Sequence, residues 1–243
     1  MAANPKRLRI IDAHALGPST RVLEIECIEG GAFDVVGGKY IIVHTGLFQG
    51  EKAVKRAYSL MPIRDRAGRA TIAVKRLAGP GSQAMHHVPL DATLGFSGPW
   101  GKLVPENGLA ERTLLVATDT GITAALGIVE QHALSGERRA LSVLWLREAT
   151  ETFLDVAWIR DRVERAGAAL SIRDIGPVAS RERDAAARVE LENHLRRFEA
   201  SHVIATGDGT IVHPLREWLR ASVPGVTDVR IECFFNNPDR KSN

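Results

Sequence analysis

Cysteine is almost missing from this chain. The two thiols, Cys27 and Cys233, lie near opposite ends of 243 residues. Two isolated cysteines cannot build a disulfide framework, a zinc knuckle or the ligand set of an iron–sulfur cluster. Long runs of one charge are also missing. The 32 Lys and Arg and 29 Asp and Glu are interspersed and leave a net charge of only +3. A nucleic-acid partner needs a basic stripe, and none is present. No apolar stretch approaches the roughly 20 residues of a membrane span. The opening "MAANPKRLRIIDAH" has basic residues but no apolar core of a signal peptide. These absences lead us to expect a cytoplasmic protein with no membrane and no nucleic acid among its partners. A sequence pI near 9.1 tilts toward an acidic or phosphorylated partner. With 44% hydrophobic and 25% charged residues the composition is that of a globular protein, long enough for one large domain or two small ones.

The first hundred residues contain six short β-rich runs separated by Gly, Pro and Asp: "RLRIIDAHAL", "TRVLEIECI", "GKYIIVHTG", "AVKRAYSLM", "RATIAVKRL" and "ATLGFSG". Six runs at this spacing suggest a small antiparallel barrel or sandwich, and a six-stranded antiparallel β-barrel is the fold we expect. One short helix is predicted at "SQAMHHV", with Ser82 as its N-cap. From Thr113 apolar β-runs alternate with amphipathic helices: "TLLVAT", "ALSVLWL", "ALSIRDI", "HVIAT" and "VTDVRIECFF" are the strands. That alternation predicts an α/β domain with a five-stranded parallel sheet. The expected division is residues 1–106 for the barrel and 107–243 for the α/β domain. Parallel sheets bind nucleotides in the crevice at the C-terminal ends of their strands, so a ligand site is expected there.

"VKRAYSLMP" carries the most pointed chemistry in the barrel. Alternation along a strand puts Arg56 and Tyr58 on one side, Ala57 and Ser59 on the other. A guanidinium suits a pyrophosphate, a phenol suits stacking on a flat heterocycle, and a hydroxyl reaches a ring nitrogen. A plain half-exposed strand with a core tyrosine fits the same four residues. A hairpin later, "AGPGSQAM" runs a glycine-flexed loop into a helix start, a possible second phosphate contact. His86 and His87 are adjacent and point about 100° apart on a helix, a poor metal pair; no metal site is expected.

Taken in order, "RAYS", "GPGS", "GFSGPWGKL", "LLVATDTGIT" and "IECFF" resemble the ferredoxin–NADP reductase family. The resemblance implies an FAD-binding barrel joined to a nicotinamide-dinucleotide domain. It implies that Arg56 binds the pyrophosphate, Tyr58 stacks on the isoalloxazine and Ser59 hydrogen-bonds near its N5, with Ala57 and Val74 in the same binding set. By the same token Gly81, Ser82 and Gln83 hold the FAD phosphates. Thr120, Gly121 and Ile122 match the turn that cradles the dinucleotide pyrophosphate, although the family usually has a glycine where Asp119 or Thr118 stands and a proline where Ala124 stands. An aspartate is electrostatically awkward beside a phosphate. Arg147, Ser180, Arg181 and Arg188 match or suit a 2′-phosphate site, which favours NADPH. Thr206 stands near the nicotinamide, where family members carry a cysteine. Glu232 and Phe234 correspond to a carboxylate and an aromatic at the flavin's other face, Glu232 joining Ser59 as a candidate catalytic residue.

The expectation is therefore an FAD-dependent oxidoreductase exchanging electrons between NADPH and a separate ferredoxin or flavodoxin, acting as a monomer. An NADH-using reductase of an oxygenase system is the nearest alternative. A flavin-binding electron-transfer subunit that takes no dinucleotide is another, motivated by Asp119, Ala124 and the missing thiol.

Overall fold

The computed structural model describes residues 6–28, 35–63, 66, 68–150 and 153–238. The N-terminal part is one antiparallel sheet of seven strands: β1 (Lys6–Ala15), β2 (Thr20–Cys27), β3 (Tyr40–Gln49), β4 (Lys52–Ser59), β5 (Met61–Pro62), β6 (Arg69–Lys75) and β7 (Thr93–Trp100). The strand order is β4-β3-β7-β1-β2-β6-β5. The two edges, β4 and β5, are separated in sequence by Leu60 alone, so the sheet has to curl almost closed. The expected six strands are all present. The seventh, β5, is two residues long and too short to carry a two-residue pattern of its own.

The barrel interior follows that pattern. On β1, Leu8 and Ile10 are buried between exposed Arg7 and Arg9. They join Leu23, Ile25, Ile41, Val43, Ile72 and Phe96 in a single core. Helix α1 (Pro80–His86) plugs one end of it with Met85. Its N-cap is Gly79, not Ser82, and no side chain caps it. The Ser82 hydroxyl faces back into the preceding loop, donating to Lys75 O at 2.6 Å and accepting from Leu77 N at 2.9 Å.

No regular element occurs between Trp100 and Arg112. The chain then builds β8 (Arg112–Thr118), α2 (Ile122–Ser135), β9 (Ala140–Arg147), α3 (Val156–Arg165), β10 (Ala169–Asp174), α4 (Arg183–Leu195), β11 (His202–Asp208), α5 (Gly209–Ser222) and β12 (Asp228–Phe235). All five strands are parallel, in the order β10-β9-β8-β11-β12. The predicted parallel sheet is therefore present, and its direction of winding reverses between β8 and β11. The central strands β8 and β9 are continuous buried runs because helices cover both faces. Helix α3 starts at Asp155, whose carboxylate accepts from Trp158 N at 2.8 Å.

Helix α2 decides how the two sheets meet. Its first eight residues, Ile122–Val129, are all buried, because one side lies on the parallel sheet and the other on the barrel. Residues from both parts, among them Val22, Met61, Leu126 and Trp145, form one apolar cluster at this seam. A methyl group on Gly127 would overlap the carbonyl oxygen of Leu60, the residue linking β4 to β5. Replacing a mid-helix glycine by alanine ordinarily stabilises a helix by about 1 kcal/mol. Here Gly127→Ala is expected to destabilise by about 1–3 kcal/mol through overpacking. Denaturant unfolding of the variant reads the sign directly.

Candidate functional site

The register of β3 against β4 builds one wall of a cleft. Tyr40 lies opposite Ser59, Ile41 opposite Tyr58, Ile42 opposite Ala57 and Val43 opposite Arg56. Directly opposed residues share a face, so Tyr40, Ile42, Ala57 and Ser59 project together. They line a cleft of ≈ 480 Å³ with Tyr58. Tyr58 also packs against the barrel core. Burial holds its phenol protonated by raising its pKa, with Arg56 pulling weakly the other way. Strand β4 is a sheet edge, so one side of its backbone between Arg56 and Ser59 has no strand partner.

Arg56 reaches away from the cleft floor toward the start of α1. A methyl group built on Gly81 would sit 2.6 Å from Val54 Cγ1 and 2.9 Å from Arg56 Cζ. The guanidinium donates to Lys55 O at 2.8 Å and has no carboxylate partner among the described residues. The two phosphate-contact candidates seen in the sequence thus converge on one spot. Ser82 does not join them, since its hydroxyl is used inside the loop. The Gln83 amide donates to Leu77 O at 2.6 Å. Val74 is fully buried in the barrel core, so its side chain is turned away from the cleft.

The opposite wall of the cleft comes from the parallel sheet. Ile231, Glu232, Cys233 and Phe234 at the end of β12 line it, with His213 and Arg216 of α5 and Asn237. Glu232 also borders an adjoining cleft of ≈ 550 Å³ formed with Trp100, Lys102 and Leu103. Its carboxyl has no hydrogen-bond partner among the described residues, and burial pushes its pKa up to about 7. Ser59 and Glu232, distant in sequence, therefore face the same space. Tyr40, Ile42 and Cys233 were not expected there. Tyr40 and Ile42 follow from the register opposite Ser59 and Ala57. Cys233 follows from its place between Glu232 and Phe234. It pairs with Gly207 on β11, so a thiol stands one strand away from where the sequence lacks one.

At the winding reversal, Asp119–Gly121 forms a 3-10 turn leading into α2, which has no side-chain cap. Gly121 and Ile122 are buried, and Thr120 is partly exposed. Gly121 lies against Thr206 so closely that any side chain would overlap the Thr206 carbonyl. The Thr206 hydroxyl donates to Gly121 O at 3.0 Å and the residue is 1% exposed. Thr206 is therefore a tie between the two turns, contrary to its expected contact with a nicotinamide. Asp119, the awkward residue, is buried and held by Arg183 at 2.8 Å. Its charge is neutralised internally.

Three of the four 2′-phosphate candidates lie at the C-terminal end of β9 and in the loop that follows β10. Arg147 O accepts from Ile175 N at 3.0 Å, joining it to the loop that carries Ser180 and exposed Arg181. The Arg147 guanidinium lies 4.8 Å from the Trp145 ring. Ser180 Oγ accepts from Glu182 N at 3.2 Å. Arg188 instead stacks 5.0 Å over the Trp218 ring of α5, in a helix–helix contact.

Residues 7–104 match the family model described as the oxidoreductase FAD-binding domain. A ferredoxin–NADP reductase B of Sorangium cellulosum (strain So ce56) is 32% identical over 163 residues, 67% of this chain and 64% of that protein. The chain is therefore similar to the ferredoxin–NADP reductase-like flavoproteins. The match spans less than two thirds of that relative's length. In fold the chain is also similar to the flavohem-like FAD/NAD binding domain of nitric oxide dioxygenase from Vibrio cholerae O1 biovar El Tor. The TM-score is 0.72 at 16% identity, covering 95% of this chain and 99% of that one. Phthalate dioxygenase reductase gives a TM-score of 0.68 at 21% identity, covering 94% and 67%. At such identities the likeness is one of fold.

The Glu232 environment has a measurable signature in the flavin-free chain. A carboxyl at 4.5 when unfolded and about 7 when folded keeps an extra proton in the folded state between those values. Its contribution to stability is therefore lost as pH rises from 4.5 to 7 and is level above that. Glu232→Gln, which cannot ionise, is expected to gain stability relative to the parent across this window. Chemical denaturation at a series of pH values checks it, and a pH-independent difference would contradict a desolvated carboxyl.

Proposed function

We propose that this protein is an FAD-dependent oxidoreductase that moves electrons between NADPH and a separate ferredoxin or flavodoxin. The observation that carries the reading is the shared cleft, where Tyr58 and Ser59 of the barrel face Glu232 and Phe234 of the parallel sheet. Such a cleft brings a barrel-bound cofactor and a sheet-bound one to a common point. The proposed division is a barrel domain of residues 1–106 and an α/β domain of residues 107–243.

The residues present fit FAD. Arg56 lacks a carboxylate partner among the described residues and sits against the side-chain-free surface of Gly81, a cradle that a methyl group would fill. In this reading Arg56 and the Gly79–Gly81 turn hold the phosphates, by charge and by close approach. Tyr58 gives an apolar ring surface with its hydroxyl kept protonated. Ser59 and the free backbone edge of β4 supply hydrogen bonds to a ring. Bound FAD supplies hydride acceptance and single-electron release; the protein supplies binding and orientation. Glu232, with a pKa near neutrality, holds or releases a proton at its carboxyl beside that ring. Phe234 covers the cleft from the side of β12 and limits water there.

The residues fit a nicotinamide dinucleotide as well. The start of α2, which no side chain caps, stands at the winding reversal, where the helix dipole favours an anion. Asp119 is no obstacle, because Arg183 neutralises it. Exposed Arg181, in the loop tied to Arg147, supports the choice of NADPH, whose 2′-phosphate a guanidinium can grip in bidentate fashion. A second reading, an NADH-using reductase serving an oxygenase, is favoured by the commitment of Arg188 to Trp218 and of Ser180 to its own turn. It also accords with the relative in fold described as transferring electrons from pyridine nucleotides to a 2Fe–2S centre.

An absorption spectrum of the purified protein, taken before and after NADPH and then NADH, tests the assignment. Flavin bands that bleach faster with NADPH are expected; absence of flavin together with no uptake of added FAD would overturn it. Arg56→Ala is expected to weaken FAD binding roughly tenfold or more by removing a charge-assisted contact, read as flavin content after dialysis. Arg181→Ala is expected to cut the ratio of NADPH to NADH efficiency roughly tenfold, and an unchanged ratio would favour the NADH reading.

A further inference from the structure

Arg183 is absent from the residues that the sequence picks out, yet among the described residues it is the one arginine whose exposure falls to 2%. It opens α4, and every arm of its guanidinium is engaged. Nε donates to Gly176 O at 3.0 Å. Nη2 donates to both Asp119 carboxylate oxygens, at 2.8 and 2.9 Å. Nη1 faces Asp208 Oδ2 at 3.4 Å. Asp208 in turn caps α5, its Oδ1 accepting from Thr210 N at 3.0 Å and from Asn236 Nδ2 at 3.2 Å.

Three segments meet at this one side chain. Gly176 begins the loop that carries Ser180 and Arg181. Asp119 begins the turn that leads into α2. Asp208 ends β11 beside Asn236, two residues past Phe234 of the cleft. Two carboxylates and one guanidinium are buried together. Asp119 holds its place with φ 49°, a left-handed backbone that disfavours a residue with a side chain. Stability alone does not call for such an arrangement, since apolar residues of similar volume often hold a fold as well as a buried ion network does. A planar fork with fixed donor directions provides fixed geometry among its partners.

We infer that Arg183 is a positioning residue for the dinucleotide, holding the loop of Arg181 at a set distance from the turn at Asp119–Gly121. This inference rests on the NADPH reading above. The pyrophosphate contact and the 2′-phosphate contact lie on separate segments with no strand joining them directly. A ligand that spans both gains from their separation being fixed before it arrives. Loosening Arg183 therefore weakens a ligand that uses both contacts more than one that uses only the first.

The test compares two probes on the FAD-loaded protein by calorimetry: adenosine 2′,5′-bisphosphate, which carries the 2′-phosphate, and 5′-AMP, which lacks it. Asp119→Asn keeps the side-chain shape and leaves Arg183 paired with Asp208, so it should fold even if Arg183→Lys does not. Both variants are expected to keep their flavin content. In each, the preference for the bisphosphate should fall roughly tenfold, the scale of one charge-assisted hydrogen bond. A merely structural tie would lower the melting temperature and weaken both probes alike, leaving the preference unchanged. That result in Asp119→Asn, with the preference still abolished by Arg181→Ala, overturns the role of Arg183 and spares the NADPH reading. A parent protein that binds both probes equally overturns the two together.

Discussion

The barrel and helix α2 meet backbone to backbone, where Gly127 of α2 lies under the Leu60 carbonyl. Much else depends on that contact. Leu60 is the single residue between β4 and β5, so pressing α2 against it fixes the end of β4 at which Tyr58 and Ser59 stand. The same helix starts at the winding reversal and is buried against β8. A rigid body thus runs from the barrel's edge to the C-terminal ends of the parallel strands. The cleft lined by Ser59 on one wall and Glu232 on the other is the gap this body leaves.

Charge is handled differently at the two ends of the molecule's working surface. Near the barrel, Arg56 stands without a carboxylate partner among the described residues, beside a turn stripped of side chains. Such a charge is available to a ligand. At the winding reversal the reverse holds: Asp119, Arg183 and Asp208 satisfy one another inside the protein. There the charge organises the backbone of the segments that meet at Arg183. Glu232 lies between these regimes, desolvated and without a hydrogen-bond partner among the described residues, which is why its proton is held so much more firmly than usual.

The fold was largely legible in the sequence because both of its patterns are local. Alternation on β1 and β2 and the continuous apolar runs of β8 and β9 are set by burial on one face or on both. The tetrapeptide beside the cleft was legible for the same reason, since side-chain direction on a strand follows from parity. What the sequence hid depends on register and on long-range pairing. Tyr40 enters the cleft because it pairs with Ser59, and Cys233 because β12 lies beside β11. Arg183 reads as an ordinary charged helix start until the fold brings Asp119 and Asp208 to it. Ser82 and Thr206 are the converse cases. Each carries a hydroxyl that suits a ligand on paper, and each uses it to tie a loop to its neighbour. Val74 shows the limit of resemblance, for its side chain packs entirely within the barrel.

The burial of the first eight residues of α2 bears on how this architecture can be recombined. By sequence the helix belongs to the parallel-sheet half, yet part of its surface packs on the barrel. A hybrid joining this barrel to another parallel-sheet half would meet a foreign helix at Leu60, where a glycine is the one residue that fits. Exchange of halves between relatives is therefore constrained less by the connecting loop than by a single side-chain-free position on the second half.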